Sequence, residues 1–364
     1  MSKDATAEGT LKFAEKFPDA AKGHFRNAQG LTVSSIGIGT YLGNWDAQTD
    51  ENYVEAITKF VESGGNVIDT AANYRFQRSE RNIGNALKNL FEKGFQREGI
   101  FICTKGGYLP FDGEPTRDVR AYFEENFVNT SIASFDDLVG GSHCMTPKYL
   151  QSQIDQSLEN MQIEGVDVFY IHNPESQLSA VDKYTFEARL AKAFELLEEN
   201  RTSGKIHFYG AATWNGFRAA PDASGYHSLE RMVNIARHVA GDDHGFRFVQ
   251  MPFNLAMPEA FLFQTQAVEG RVYSPIEAAN ELGVSVMCSA SILQGKLAAN
   301  LPTHLNETLG NLKTDAQTSL QFVRSTPGVT TALIGMSSES HVEENMELAG
   351  IEPVERETYG QMFS

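Results

Sequence analysis

Four side chains with complementary acid–base chemistry stand just after short apolar runs in the sequence. Asp69, Lys105 and His172 each directly follow such a run, and Tyr74 comes five residues after Asp69. The pKa of an unperturbed tyrosine is about 10, so proton transfer at neutral pH requires a shift of about 2–3 units. A neighbouring ammonium group stabilises the phenolate, and a carboxylate keeps that ammonium charged. The set therefore predicts a site in which Tyr74 protonates a carbonyl oxygen while a hydride reaches the carbon.

Each of these residues has an ordinary explanation when it is taken alone. An aspartate after a strand is often a helix N-cap, and a single histidine or lysine is usually a structural or solvated residue. Their position after successive strands favours a shared site, because barrel enzymes carry their catalytic groups at the carboxyl ends of the strands.

The elements that would position these residues alternate along the chain. Eight short segments with nearly continuous apolar character are typical of buried parallel strands, at 33–37, 66–68, 100–104, 166–171, 207–212, 246–249, 284–288 and 330–334. Helical patterns lie between and after them, at 51–63, 79–93, 147–161, 185–203, 229–240, 275–282, 312–325 and 339–348. This order predicts an α/β protein, a single (β/α)8 TIM barrel. A doubly wound sheet is disfavoured, because no Gly-x-Gly-x-x-Gly motif follows the first strand.

The chain is longer than a minimal barrel. Its 364 residues, 41% of them hydrophobic, are sufficient for a large core. We assign residues 1–30 to an N-terminal arm and residues 31–364 to the barrel. Residues 106–146 form a long insertion after strand three, and its aromatic content favours an ordered lid.

Charge and cysteine content exclude several classes of protein. The formal net charge of −17 argues against a nucleic-acid or anionic-membrane binder, which needs a basic face. Three widely spaced cysteines indicate a reducing compartment, and we predict a cytoplasmic protein without a signal peptide or membrane span. Asp69, His143, Cys144 and His172 lack metal-ligand spacing, so no metal is expected.

The predicted lid is acidic. Seven Asp or Glu residues and two Arg residues fall within 106–146, a net charge of −5. Such a rim would not attract strongly anionic molecules, so a neutral or cationic small-molecule carbonyl or alcohol is the expected partner.

Several segments resemble the signature regions of the aldo-keto reductase superfamily. They are residues 66–74 (NVIDTAANY), 79–80 (SE), 103–105 (CTK), 170–174 (YIHNP), 203–206 (SGKI) and 335–345 (GMSSESHVEEN). The match runs in order from about residue 33 to about residue 350. The resemblance implies a (β/α)8 barrel that binds NAD(P)(H) without a Rossmann motif, with Asp69, Tyr74, Lys105 and His172 as the catalytic tetrad.

The resemblance also implies which residues contact the nicotinamide end of the cofactor. Gly39, Thr40 and Tyr41 match the loop after strand one, with Asp69 beside them, and Gln250 matches the amide that holds the carboxamide. The family usually has Ser-Asn after strand five, whereas this chain has Ala and Thr213. Ser289 stands where the family carries a stacking aromatic residue, so either Trp214 or another ring stacks there or the stack is absent. Backbone groups around Ile292 and Gln294 would wrap the pyrophosphate.

The resemblance also implies that the segment after strand eight binds the phosphate and adenine end of the cofactor. Its candidate residues are Gly335, Ser337, Ser338, His341, Glu344 and Asn345. Hydroxyl and N–H groups at a helix N-terminus bind anions without a basic side chain, so NADP(H) is favoured and NAD(H) stays possible.

Five residues are candidates for the substrate pocket: Tyr41, Trp45, Tyr74, His172 and Trp214. Two functions follow from these observations. The first is an NAD(P)(H)-dependent oxidoreductase that interconverts a carbonyl compound and an alcohol, and the alternative is a nicotinamide-binding barrel with a sensor role and little turnover. The sequence predicts neither the substrate's identity nor the oligomeric state.

Overall fold

The computed structural model describes residues 2–363, so Met1 and Ser364, the outer ends of the predicted arm and barrel, lie outside the described residues. Within that range eight parallel strands close into a barrel in sequence order, with the last strand paired to the first. The strands are β1 Ile36–Gly39, β2 Val67–Asp69, β3 Phe101–Gly106, β4 Val166–His172, β5 Ile206–Ala212, β6 Phe246–Pro252, β7 Ser285–Ser289 and β8 Val329–Gly335. The predicted (β/α)8 TIM barrel is confirmed.

Eight helices form the outer layer, one after each strand. They are α1 Ala47–Glu62, α2 Arg78–Glu92, α3 Pro147–Met161, α4 Lys183–Ser203, α5 Leu229–Ala240, α6 Pro275–Glu281, α7 Asp315–Ser325 and α8 Glu339–Met346. Their starts follow from local chemistry: Asp46 accepts from the Thr49 N–H at the start of α1, and Asp182 accepts from the Thr185 N–H at the start of α4. Gly204, in the left-handed region, ends α4.

Further short elements lie outside the eight strand–helix units. Short helices span Ala7–Glu15, Val119–Phe123, Glu259–Leu262, Thr303–Leu309 and Arg356–Gln361, and a small hairpin joins Gln266–Val268 to Arg271–Tyr273. Every helix among residues 2–363 is too short or too polar to span a bilayer.

An N-terminal hairpin closes the amino-terminal end of the barrel. Its strands, Phe25–Ala28 and Leu31–Ser34, pair antiparallel across a turn at Gln29 and Gly30, whose φ angles are 52° and 85°. Leu31 and Val33 belong to the interior core of the barrel. The predicted first strand, 33–37, is therefore wrong in position, because it joins the end of this hairpin to the start of β1. The predicted division at residue 30 falls in the hairpin turn, and that division into arm and barrel stays a prediction.

Residues 106–146 have a small apolar core of their own. Leu109, Phe123, Phe127 and Cys144 pack together with Tyr149 of α3. The segment is anchored to α2 and its preceding loop: the Gln77 and Arg78 side chains donate to its backbone carbonyl groups, and Arg81 pairs with Asp112 at 2.7 Å. The segment is thus ordered by its own aromatic residues and by contacts to the barrel.

Candidate active site

A buried ion pair lies at the carboxyl end of β2 and β3. Lys105 Nζ donates to Asp69 Oδ2 at 2.7 Å and to the Thr70 carbonyl at 2.8 Å, and the lysine is 1% exposed. Asp69 Oδ1 accepts from Gln250 Nε2 at 2.8 Å. Burial alone would lower the pKa of Lys105, but the Asp69 carboxylate and the Tyr74 phenol outweigh it and raise the pKa. The lysine is therefore held in its charged form.

Tyr74 lies between this lysine and His172. Lys105 Nζ is 4.9 Å from the centre of the Tyr74 ring, and the ring meets those of Tyr41 and His172 edge-on, at centroid distances of 5.0 and 5.9 Å. Burial raises the pKa of Tyr74, and the lowering effect of Lys105 does not cancel that increase. The phenol is accordingly protonated at neutral pH.

The loop that carries Tyr74 is held in a conformation that side chains rarely adopt. Arg75, Phe76 and Gln77 all lie in the left-handed region, with φ angles of 46°, 59° and 68°. Such strain persists only where surrounding contacts impose it. Arg75 supplies some of these contacts, because its guanidinium donates to the Asn44 carbonyl at 2.9 and 2.7 Å and pairs with Asp50 at 2.7 Å.

His172 ends β4 with a neutral imidazole. Its Nδ1 is buried and has no partner among the described residues. Burial, reinforced by Lys105 and His143, lowers its pKa well below the usual value. Its carbonyl oxygen accepts from His143 Nε2 at 2.8 Å, while Gln177 donates to the other nitrogen of that ring. An uncharged imidazole in this position can donate a hydrogen bond without carrying a full positive charge.

A cavity of about 530 Å³ opens over these side chains. Thirteen of the residues singled out in the sequence line it: Gly39, Thr40, Tyr41, Asp69, Tyr74, His172, Thr213, Trp214, Gln250, Ser289, Ile292, Gln294 and Gly335. They come from the carboxyl ends of seven strands or from the loops that follow.

The other sequence candidates lie outside the cavity wall. Lys105 is buried behind it, and Trp45 packs edge-on against Phe76 at 5.3 Å. The remaining five lie in α8 or in the two residues before it: Ser337, Ser338, His341, Glu344 and Asn345. In that segment the Ser338 side chain caps the helix, whereas Asn345 Oδ1 is buried without a partner among the described residues.

Sequence reasoning missed several lining residues. Asn73 and Asn173 adjoin Tyr74 and His172 in the sequence, and that adjacency was the available signal. Leu42 and Ala290 extend loops that had already been singled out. Tyr108 is different, because it belongs to the 106–146 insertion and no motif marks it.

One loop at the cavity leaves a polar group free, and a second turns sharply beside it. Thr213 Oγ1 after β5 is buried and has no partner among the described residues, so it can donate or accept within the cavity. After β7, Ala290, Leu293 and Gln294 adopt positive φ angles of 57°, 46° and 54°, so the loop turns sharply beside the cavity. A polar group of a ligand in the cavity would satisfy the free hydroxyl.

The fold and the site together place four titratable side chains at the carboxyl rim of a (β/α)8 barrel, beside an open cavity. Residues 35–362 match the model of the Aldo/keto reductase family. The chain therefore belongs to the aldo/keto reductase family, which confirms the family and enzyme class indicated by the sequence.

Solved structures share this fold at low sequence identity. An aldo/keto reductase from Klebsiella pneumoniae in complex with NADP and acetate is 19% identical, with 94% of each chain covered and a TM-score of 0.62. The glycerol dehydrogenase of Gluconobacter oxydans is 18% identical, with 94% of each chain covered and a TM-score of 0.64. The holo form of an aldo-keto reductase from Bacillus halodurans is 19% identical, covers 93% of this chain and 95% of that one, and has a TM-score of 0.61.

Proposed function

We propose that this protein is an NADP(H)-dependent oxidoreductase that interconverts an aldehyde or ketone with the corresponding alcohol, with Tyr74 as general acid and base. The observation that carries the proposal is the placement of Lys105 Nζ, which is 2.7 Å from the Asp69 carboxylate and 4.9 Å from the Tyr74 ring centre. This arrangement places an ammonium group beside a phenol at an open cavity, where it opposes the effect of burial on the pKa of that phenol.

Each member of the tetrad has a separate role. Asp69 keeps Lys105 charged, and Lys105 opposes the effect of burial on the Tyr74 pKa. The neutral His172 donates a hydrogen bond to the substrate carbonyl and orients it. Tyr74 gives its proton to the carbonyl oxygen in reduction and takes a proton from the alcohol in oxidation. The nicotinamide cofactor, when bound, supplies or accepts the hydride at the carbon.

The cofactor residues are assigned along the rim. Gln250 and the free hydroxyl of Thr213 hold the carboxamide, and the loop at Ile292 and Gln294 faces the pyrophosphate. Ser337, Ser338 and His341 at the start of α8 take the 2′-phosphate, while Glu344 and Asn345 face adenine. The NADP and NADPH complexes of the Klebsiella pneumoniae relatives support the preference for NADP(H) over NAD(H). With Ser289 in place of an aromatic residue, Trp214 is one of several rings on the cavity wall and is a candidate for stacking.

Replacing the tyrosine hydroxyl tests the catalytic role. We expect Tyr74→Phe to lower kcat for NADPH-dependent reduction of aldehydes and ketones by at least about 10²-fold, because general acid catalysis contributes on that order. NADPH binding should be unchanged. Tyr122→Phe, which removes a phenol that donates to Pro110 in the insertion, is the matched control and should keep full activity.

The outcomes separate the two functional hypotheses. Full activity in Tyr74→Phe would exclude the acid–base role. If the wild-type protein binds cofactor but reduces no member of a broad carbonyl panel, the alternative of a sensor barrel with little turnover is supported instead.

Cofactor preference is tested by titrating the protein's tryptophan fluorescence with NADPH and NADH. We expect tighter binding of NADPH. Ser337→Ala should weaken NADPH binding only, and Thr213→Ala should weaken both cofactors equally because it acts at their common carboxamide. Equal affinities for the two cofactors in the wild-type protein would contradict the preference.

The acidic insertion supports a neutral or cationic carbonyl substrate. A panel that includes a phosphorylated aldehyde and a dicarboxylate keto acid tests this, and efficient turnover of either anion would overturn it. The cytoplasmic location stays a prediction from the cysteine usage.

A further inference from the structure

The loop after β5 is held by a single carboxylate from the loop after β4. Glu175 lies three residues beyond His172, in the turn Pro174–Ser179. Its Oε1 accepts from three successive backbone N–H groups, those of Trp214 at 2.7 Å, Asn215 at 3.0 Å and Gly216 at 3.4 Å. Convergent N–H groups create a local positive potential that favours a negative charge. The contact therefore joins two loops. One follows His172, the proposed substrate-orienting residue, and the other carries the cavity residues Thr213 and Trp214.

The opposite face of the same loop is fixed as well. The Trp214 carbonyl accepts from Arg218 Nε at 3.1 Å and from Nη2 at 3.0 Å, and Arg218 pairs with Glu259 at 2.7 Å. The Thr213 N–H donates to the Gln250 carbonyl at 2.9 Å. Arg218 and Gln250 thus hold a carbonyl and one N–H of this loop, while Glu175 alone satisfies the three N–H groups that follow Thr213.

The second oxygen of Glu175 carries no comparable bond. Its Oε2 is buried without a hydrogen-bond partner and lies 4.0 Å from His227 Nε2, which is also unpartnered among the described residues. The His227 N–H donates to the Gly216 carbonyl, and its ring stacks on Phe186 at 4.8 Å. Keeping a carboxylate in these surroundings costs desolvation energy. The interaction that offsets this cost is the one with the Trp214 loop.

We infer that Glu175 is a positioning residue, which sets Thr213 and Trp214 on the cavity wall relative to His172. The inference rests on the proposed function for its kinetic consequence, but its structural consequence is independent of turnover. Trp214 is 42% exposed and lines the cavity, so loss of the three N–H contacts removes the hydrogen bonds on one side of its backbone and leaves those of Arg218 to its carbonyl.

The chain contains two tryptophans, so Trp214 can be observed alone in a Trp45→Phe parent. Glu175→Leu removes every acceptor, whereas Glu175→Gln keeps one carbonyl oxygen and should rescue part of the effect. In the cofactor-free protein we expect Glu175→Leu to shift the Trp214 emission to longer wavelength, increase its quenching by acrylamide and weaken its near-ultraviolet circular dichroism. The far-ultraviolet spectrum, which reports helix content, should be retained.

Kinetics give the second measurement. We expect Glu175→Leu to raise KM for the carbonyl substrate about 10-fold, because the loop that carries Thr213 and Trp214 loses its hydrogen-bond acceptor, while kcat falls less than about 3-fold because the tetrad is intact. Glu187→Gln is the matched control: its side chain is 15% exposed against 13% for Glu175, and it pairs with Arg231 at 2.6 Å instead of with the loop. It should leave both Trp214 and KM unchanged.

The two readouts distinguish the ways in which the inference can fail. An unchanged Trp214 spectrum and unchanged quenching in Glu175→Gln and Glu175→Leu would overturn it, whatever the rates. If Glu175→Leu does not fold, a Trp214 spectrum of Glu175→Gln that is identical to that of the parent would also overturn the inference. A shifted Trp214 spectrum together with no turnover in the wild-type protein would support the positioning role and reject the proposed function.

Discussion

At the scale of single residues, two opposing influences act on the Tyr74 pKa. Burial raises it and the Lys105 ammonium lowers it, and the balance lies above the ordinary value. The sequence predicted the lysine's contribution from the residue types alone. It could not predict the balance, because the extent of desolvation depends on how closely the rings of Tyr41 and His172 cover the phenol.

This balance predicts the pH dependence of both directions of the reaction. Tyr74 stays protonated through neutral pH, so carbonyl reduction should be constant between about pH 6 and 8 and fall only at alkaline pH, where alcohol oxidation rises. Lys105→Met removes the lowering influence on the Tyr74 pKa, so the alkaline fall in the reduction rate should move to higher pH, and kcat should be reduced as well. Lys93→Met, at an exposed lysine, is the control. A fall that moves to lower pH would show that Lys105 does not act on the phenol.

At the scale of elements, the order of strands and helices followed from hydrophobic periodicity, and seven of the eight strand predictions overlap the observed strands closely. The exception is the first predicted strand, residues 33–37. Leu31–Ser34 and β1 are both buried and separated by a single residue, so burial alone cannot distinguish a hairpin strand from a barrel strand. The turn at Gln29 and Gly30 was the available sign. The cavity residue Tyr108 could not be found, because the path of the insertion depends on packing among distant aromatic side chains.

The hairpin that closes the barrel should make a large contribution to stability. Leu31 is 3% exposed within the interior core, so Leu31→Ala should lower the free energy of unfolding by about 2–5 kcal/mol. Leu11→Ala makes the same change at a leucine that is 51% exposed and should cost much less. Urea denaturation measures both. Equal losses would mean that the hairpin does not contribute to the core.

At the scale of the whole molecule, neutral buried histidines link stability to pH. Burial lowers the pKa of His24 and His143 to about 4 and that of His227 to about 3. In the unfolded chain these residues take up protons below about pH 6.5. In the folded protein they stay neutral until the pH falls to their lowered pKa values. Their contribution to stability is thus present above pH 6.5 and is lost progressively as the pH falls toward 4.

A pair of variants isolates this effect, since burial also raises the pKa of carboxyl groups such as Glu80 and Asp167. We expect the urea midpoint of His24→Gln to change less between pH 7 and pH 5 than that of His238→Gln, which replaces an exposed histidine. Identical pH dependence in the two variants would contradict the assignment. Proton uptake on unfolding at pH 5 should also be lower for His24→Gln.

The separate apolar core of residues 106–146 has a consequence for divergence. Among the described residues of this segment, Tyr108 is the one that lines the cavity, while Phe123 and Phe127 pack within the segment and against α3. Mutations that accumulate around those rings leave the proton-transfer groups untouched. Substitutions around Phe123 and Phe127 should therefore spare the acid–base site, whereas changes at Tyr108, whose ring lies 5.0 Å from that of His172, or at His143, which donates to the His172 carbonyl, would act on it directly.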